Sequence, residues 1–221
     1  DLMHAWIFQG GFPVVEGTVE DGTCTLVQRR FRYDGMDDDG QWQVPVRIRT
    51  TAGEQRVLLG SSPIVLALEG TLVTLNAGAD GFYRSELDVA PDPERLTAIE
   101  RAMTVDDRWA ATLGATHDPA SFAGFANAWR NDPDLAVWQA VLRGLYTIDL
   151  VAPLRHPTTA TEAAGLLGGM VERLGWEPSD AESDRTRQLR GILLVAAGTL
   201  ADDPDVIGEA RRRWSSRTST D

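Results

Sequence analysis

The stretch Trp6-Ile7-Phe8-Gln9-Gly10-Gly11-Phe12-Pro13-Val14-Val15 marks where a helix gives way to strands. Upstream of it, Leu2 and Met3 join Trp6 and Ile7 in an apolar, aromatic run that reads as the tail of a helix. Two adjacent glycines tolerate positive φ and suit a helix end, while Pro13 forbids further helix and favours an extended chain. From there to Asp88 the sequence reads as strands. A helix this short, starting at residue 1 with no initiator methionine, is expected to continue from a segment upstream, so residues 1–12 read as the tail of a preceding domain.

Residues 13–20 form the first expected strand, closed by the turn pair Asp21-Gly22. Cys24 to Tyr33 follows as a longer strand. Asp34 to Gly40 has two glycines and four aspartates, which brings calcium loops to mind, but it has no glutamate at the terminal ligand position and its glycines are misplaced. A solvated hairpin loop fits better. Trp42 to Thr50 alternates: Trp42, Val44, Val46 and Ile48 share one face, and Gln43, Pro45, Arg47 and Arg49 the other. Pro45 removes a ladder donor, which predicts an edge strand or a bulge. Shorter strands are expected at 56–59, 64–68, 71–75 and 82–87, with Gly60-Ser61-Ser62-Pro63 as a turn. Short strands separated by glycine-bearing turns predict an antiparallel β-sandwich over residues 13–90.

Beyond Asp88 the period changes to three or four. Asp92-Pro93, Asp118-Pro119, Asp132-Pro133 and Asp203-Pro204 spell helix starts, because aspartate caps free N–H groups and proline needs no partner at the first helical position. Thr159 with Glu162, and Ser179 with Glu182, have capping-box spacing. Trp138, Val141, Leu142 and Leu145 line one apolar face, and Leu189, Ile192, Leu193, Ala196 and Leu200 another. About seven helices, of one to two dozen residues each, are expected over residues 91–221. They form a bundle or a solenoid without a fixed-period repeat. The polar end from Trp214 to Asp221 offers no capping helix, which predicts that the helical domain is truncated there.

The chain has 221 residues and a formal charge of −12, which disfavours a nucleic-acid partner. The acidity divides evenly, and Arg211-Arg212-Arg213 is the one basic run, placed near a helix end where cations suit the macrodipole. No apolar run is long enough for a membrane span. Lysine is absent while Ala, Gly, Arg and Asp abound, a hint of a GC-rich bacterial genome. The single Cys24 sits in an alternating strand and reads as a buried structural thiol, in keeping with a reducing, cytoplasmic compartment.

Catalytic patterns are missing. His4, His117 and His156 are far apart in sequence, and there is no His-Glu-x-x-His. No Gly-x-Ser-x-Gly turn presents a nucleophile. Gly165 and Gly168-Gly169 lie within an Ala/Leu helix and read as sites of close helix packing rather than a phosphate loop. Asp80, Tyr83 and Arg84 are a polar cluster that can face a ligand or, more simply, satisfy a hairpin and strand edge. The seven tryptophans are dispersed, as expected for packing. The residue types thus give no catalytic, cofactor-binding or metal-binding residue.

Three stretches taken together resemble the zinc aminopeptidases of the aminopeptidase N family. Trp6-Ile7-Phe8-Gln9-Gly10-Gly11-Phe12-Pro13 resembles the point where that family leaves its thermolysin-like catalytic domain. Gln28-Arg29-Arg30-Phe31 and Trp42-Gln43-Val44-Pro45-Val46 are similar to strands of its small β-sandwich. Asn76-Ala77-Gly78-Ala79-Asp80-Gly81-Phe82-Tyr83-Arg84 resembles the strand pair leading into its helical C-terminal domain, whose first turns are matched by Glu100-Arg101-Ala102 and Asp106-Asp107. Ser85 and Leu87 depart from the Val and Tyr that often follow the arginine. The resemblance covers residues 1 to about 115 by order and spacing, and the remainder by helical pattern.

The resemblance implies a parent enzyme that uses zinc to remove N-terminal residues from peptides. It also implies that the zinc-binding His-Glu-x-x-His with its downstream Glu, and the Gly-x-Met-x-Asn segment that holds the substrate amine, belong to domains before residue 1. The expected function is a non-catalytic C-terminal fragment, inactive alone, that supplies a spacer sandwich and part of a helical lid over the cleft. Its partners would be the upstream catalytic domain and, indirectly, peptide substrates, with no nucleic acid and no membrane. The isolated chain is expected to self-associate through apolar surface around Trp6 and the last helices. The alternative is a free-standing interaction module with a helical-repeat surface.

Overall fold

The computed structural model describes residues 2–34, 36 and 39–218. The chain forms two compact units, Asp1–Asp118 and Pro119–Asp221.

The first unit opens with α1 (Leu2–Phe8), ended by Gly10-Gly11, where Gly11 has a φ of +87°. Seven strands follow: β1 (Pro13–Glu20), β2 (Thr23–Arg30), β3 (Val44–Thr50), β4 (Glu54–Leu59), β5 (Ile64–Ala67), β6 (Leu72–Thr74) and β7 (Arg84–Leu87). They make a four-stranded sheet in the order β5-β2-β1-β7 and a three-stranded sheet in the order β4-β3-β6. The expected β-sandwich is therefore present. Its pairings are antiparallel except for β7, which runs parallel to β1 in the register Val14↔Arg84. Asp21 and Gly22, with φ of +46° and +73°, form the two-residue turn that sets the β1–β2 register Glu20↔Thr23.

Between the sheets lie Val15, Cys24, Leu26, Trp42, Val44, Val46, Ile48, Leu59, Leu75 and Tyr83. Gly17 leaves room in this core for Leu75 and Leu87: a Cβ there would stand 2.8 Å from Leu75 Cδ1, so that side chain would have to shift. The four residues predicted to share a face of β3 and its approach, Trp42, Val44, Val46 and Ile48, are all buried. Of the two outcomes expected from Pro45, the edge is not found, since β3 is the middle strand of its sheet, whereas the β3 pairing with β6 does carry a register shift, between Arg49 and Thr50. The Arg47 N–H points away from β4 to the Tyr83 hydroxyl, so the position two residues earlier faces the same side. There β6 pairs only with Arg49 and Thr50, across a register shift, and the missing Pro45 donor deprives no partner.

The second strand ends three residues earlier than expected. Phe31 still donates its N–H to Phe12 O at 2.9 Å, and its ring stacks on Phe12 at 5.1 Å, turning the chain out of the sheet. In the acidic loop Gly35, Asp37 and Asp38 lie outside the described residues, while Asp34 accepts the Arg32 guanidinium and the Met36 N–H. Asp92-Pro93 begins a single 3-10 turn, Pro93–Arg95. The first long helix, α2 (Ala98–Leu113), starts instead from a capping box of Thr97 and Glu100. It completes the first unit.

The second unit consists of α3 (Phe122–Ala126), α4 (Leu135–Val151), α5 (His156–Leu174), α6 (Asp184–Thr199) and α7 (Pro204–Thr218). The two predicted apolar faces are inward, with Trp138, Val141, Leu145, Leu189, Leu193 and Ala196 buried and Ile192 half-buried. Among the described residues six α-helices follow residue 91, close to the expected number of about seven, though one has only five residues.

Several helix starts differ from the sequence reading. Asp134, not Asp132, caps α4, and Asp132 accepts the Asp134 N–H. Thr159 lies buried inside α5 and donates to Arg155 O, because the 3-10 turn Pro153–Arg155 already leads into helix at His156. Ser183 caps α6, since Ser179 is spent on a tight turn and Glu182 on the buried Arg190 guanidinium. Asp203 behaves as predicted, accepting the Asp205 and Val206 N–H groups at the start of α7. That helix runs on into the polar stretch after Trp214 as far as Thr218, residues 219–221 lying outside the described residues, with Arg213 bridging Glu209 and Glu177 and lying over the Trp176 ring.

Gly165, Gly168 and Gly169 are exposed on α5, with nothing within 4 Å of a Cβ built on any of them, so they serve no close packing among the described residues. No single helix among those residues is long and apolar enough to cross a membrane.

Candidate functional site

Two joints in the first unit are the structural features from which a role can be read. The first seats α1 on the sandwich. Trp6 Nε1 donates to Gln43 O at 3.2 Å, and Gln9 Nε2 donates to Gln41 O at 3.1 Å. Both acceptors are carbonyls of the segment entering β3, so the helix is fixed by backbone groups that no side-chain change nearby removes. The Trp6 ring meets Trp42 and Phe82, each at 6.1 Å. Beside it runs an open trough of about 700 Å³, lined by Met3, Trp6, Pro45, Leu58 and Phe82 with Arg47 and Arg56 at its margin. Met3, Ile7, Phe8, Leu58 and Phe82 are all more than half exposed, Phe8 and Phe82 about three-quarters so. Large apolar side chains are thus concentrated on this exposed face.

The second joint holds α2 to the sandwich. Glu100 is buried, and its carboxylate accepts the Gly78 N–H at 2.8 Å, the Thr97 N–H at 2.8 Å, the Thr97 hydroxyl and Arg49 of β3. Burial opposes its charge, yet the N–H donors of Gly78 and Thr97 prevail and hold its pKa below the usual value. Two turns later Asp107 accepts the Ser85 N–H at 3.0 Å, the Ser85 hydroxyl at 2.8 Å and Arg84 Nη1 at 3.1 Å. Here burial wins, and the Asp107 pKa is pushed up to about 6 despite Arg84 and Ser85. Arg84 is shared with Asp106. Arg29 in turn bridges Glu16 and Glu86 across β2, β1 and β7.

The residues singled out in sequence do not converge. Asp80 pairs with Arg47, Tyr83 is buried and donates to Leu75 O at 2.7 Å, and Arg84 turns to α2. Burial pushes the Tyr83 phenol up to about 12, consistent with a structural hydroxyl. Each of the three has its own partner, as hairpin and strand-edge groups do. Cys24 is fully buried, and burial, reinforced by Asp88, raises its pKa. His4 sits against Phe8, His117 against Arg108, and His156 between Asp149 and Asp202. Burial followed by the Arg108 cation pushes the His117 pKa down.

Among the described residues no group of three or more His, Cys, Asp or Glu is placed to hold a metal ion. The described side chains therefore offer no set that fits zinc, which the family resemblance places in domains before residue 1, and no chemical step through it is assigned to this chain.

Glu100 and Asp107 were named in sequence only as part of a resemblance. The signal that would have exposed Glu100 is the spacing Thr97-x-x-Glu100 before an apolar-periodic run. Asp107 gives no local signal, since its partners come from β7, more than twenty residues back.

Residues 72–221 match the model of the ERAP1-like C-terminal domain. The chain belongs to that family. As a member of the ERAP1-like C-terminal domain family, it is also similar to whole proteins of greater length. It is 27% identical over 251 residues to aminopeptidase M1 of Arabidopsis thaliana, covering 97% of this chain and 28% of that protein. It is 28% identical over 232 residues to aminopeptidase N of Lactobacillus helveticus, covering 96% of this chain and 27% of the relative. Tricorn protease-interacting factor F2 of Thermoplasma acidophilum is 24% identical over 226 residues, covering 93% and 28%. The ERAP1-like C-terminal domain chain thus spans about a quarter of the length of the curated relatives it matches.

Proposed function

We propose that this chain is the C-terminal part of a longer metallo-aminopeptidase, in which it supplies a spacer sandwich and part of a helical wall over the peptide-binding cleft. The observation that carries this reading is the coverage: nearly all of the chain aligns with aminopeptidases of which it forms only about a quarter. The exposed apolar face around α1 and its trough gives the reading a physical basis, as it is the surface on which a catalytic domain would rest. A helical wall over such a cleft would act by exclusion, limiting which peptides enter and shielding the reacting water from bulk solvent. Zinc would be held by the catalytic domain, and no residue of this chain is given a catalytic role. The lone, buried Cys24 supports a cytoplasmic location.

The test is the reading frame upstream of Asp1. A frame continuing into His-Glu-x-x-His with a downstream Glu is the expected result, whereas an in-frame stop next to Asp1 overturns the proposal. The isolated chain should neither cleave an aminoacyl-anilide nor retain stoichiometric zinc. It should also sediment as a concentration-dependent mixture of monomer and oligomer, because the α1 face would be uncovered. A single monomeric boundary across a hundredfold concentration range would show that this face needs no cover.

A second reading, an interaction module, is favoured by an apolar groove of about 350 Å³ between α6 and α7, lined by Trp176, Leu194, Val206 and Ile207.

A further inference from the structure

His156 has a carboxylate on each ring nitrogen. Nδ1 lies 2.7 Å from Asp149 Oδ1, in the last turns of α4, and Nε2 lies 2.8 Å from Asp202 Oδ2, in the turn between α6 and α7. His156 itself is the first residue of α5. One ring thus ties three places in the helical unit that are distant in sequence.

Proton counting decides what the arrangement requires. A carboxylate accepts hydrogen bonds, and only the imidazolium form donates from both nitrogens. Neutral imidazole has one N–H, so one of the two contacts would then set a lone pair against a carboxylate. The Asp149 side chain is 24% exposed and the Asp202 side chain 60%, so the Asp202 arm is the one free to swing away.

The turn that Asp202 belongs to needs an anchor. Asp202 has a φ of +51°, a left-handed conformation that most residues avoid and that aspartate tolerates through side-chain hydrogen bonding. Here its carboxylate is given to His156. The turn is otherwise held by Ala201 N–H to Ala196 O at 3.1 Å and Asp203 N–H to Ala197 O at 2.9 Å, and Asp203 then caps α7.

We propose that His156 is a proton-operated latch: doubly protonated, it pins the α6–α7 turn to the α4–α5 corner, and on losing a proton it releases the Asp202 arm and loosens the turn. The charged groups that face the ring are Asp149 from α4 and Asp202 from the α6–α7 turn. On its own segment the neighbouring Arg155 is solvent-exposed. The hydrogen bonds to Asp202 and then Asp149 raise the His156 pKa above its ordinary value. A raised histidine stabilises fully below its unfolded pKa of about 6.5 and loses that contribution as the pH rises through the higher folded value. The latch therefore closes toward acid and opens toward alkali. α7 carries one wall of the α6–α7 groove, so release would alter the shape of that groove.

The experiment is an NMR titration of the histidine Hε1 signals of the full 221-residue chain, with His156→Gln to assign the resonance. Hydrogen exchange of the Ala201 and Asp203 amides is followed in parallel and normalised for the intrinsic exchange rate. A His156 midpoint above about 6.5 is expected. It should fall in Asp202→Asn, which removes a charged acceptor. Across that midpoint the protection factors of the two amides should drop about two- to fivefold in the wild type, the range of an exposed ion pair. In Asp202→Asn they should show no such step. A midpoint at or below the ordinary value overturns the proposal. So does a raised midpoint with unchanged protection, which would make the contacts an ion pair without a latch.

Discussion

Glu100 and Asp107 sit seven residues apart on one face of α2, both nearly inaccessible, and their environments drive them in opposite directions. Glu100 occupies the third position of the helix, where unsatisfied N–H groups and the macrodipole favour an anion. It has Gly78, Thr97 and Arg49 as donors. Asp107 lies mid-helix, beyond reach of that field. Its donors are Ser85 and an Arg84 shared with Asp106. Burial costs both, and only Glu100 recovers the cost in full. The lesson concerns the joint: one end of α2 is fastened to the sandwich by a fixed charge, and its middle by a group that titrates near neutrality.

The strongest way to break this comparison is Glu100→Ala. It removes half of the capping box and leaves Arg49 and the Gly78 N–H without their carboxylate, for a loss of about 3–4 kcal/mol. Urea unfolding followed by hydrogen exchange in β3 and α2 measures it. A loss no larger than that of an exposed cap, about 1 kcal/mol, would show that the buried pair is not what fastens the helix.

Asp107→Asn sharpens the comparison through pH. With a folded pKa of about 6 against an ordinary value of 3.8, native Asp107 binds its proton before the unfolded chain does. Its effect is therefore destabilising above about pH 6 and relieved as the pH falls toward 3.8. That difference corresponds to roughly 3 kcal/mol at full effect. Glu100, with a lowered value, contributes in the other sense: its stabilisation is present above its unfolded pKa and is lost on further acidification. The wild-type chain should gain stability from pH 7 to 5 and lose it below about 4.5. Asp107→Asn should reduce the gain to the part that His156 contributes and keep the loss. A gain of wild-type size in the variant would assign the pH 5–7 slope to groups other than Asp107.

Much of this architecture was legible in the residues. The alternation of Trp42, Val44, Val46 and Ile48, the Asp21-Gly22 turn and the glycine pair after Phe8 are local signals, and each appears where the sequence puts it. What misled were signals whose outcome depends on distant partners. Pro45 sits in a middle strand rather than at an edge, one of its two expected outcomes, because β6 falls short of it across a register shift. Thr159 and Ser179 carry capping spacing but lie within a helix and a turn already set by their neighbours. The buried joint at α2 was the least legible, since Glu100 draws donors from β3 and from the turn at Gly78, and Asp107 draws its donors from β7. Nothing in Asp106-Asp107 itself says which of the two will be buried.

Ser85→Ala has the smallest expected effect and is the most specific to the joint. The substitution deletes the hydroxyl donor at 2.8 Å and keeps the backbone N–H at 3.0 Å, so the carboxylate loses one of its hydrogen bonds and the strand pairing is untouched. A hydrogen bond donated to a carboxylate favours its charged form, so removing one raises the Asp107 midpoint above about 6. The cost at pH 8, where Asp107 is ionised, should be about 1 kcal/mol, and at pH 5 it should shrink, because the protonated carboxyl no longer depends on that donor. Carbon-detected NMR of the Asp107 carboxyl reads the midpoint directly. If the midpoint stays or falls, burial alone governs Asp107, and the contrast with Glu100 reduces to one of depth rather than of donors.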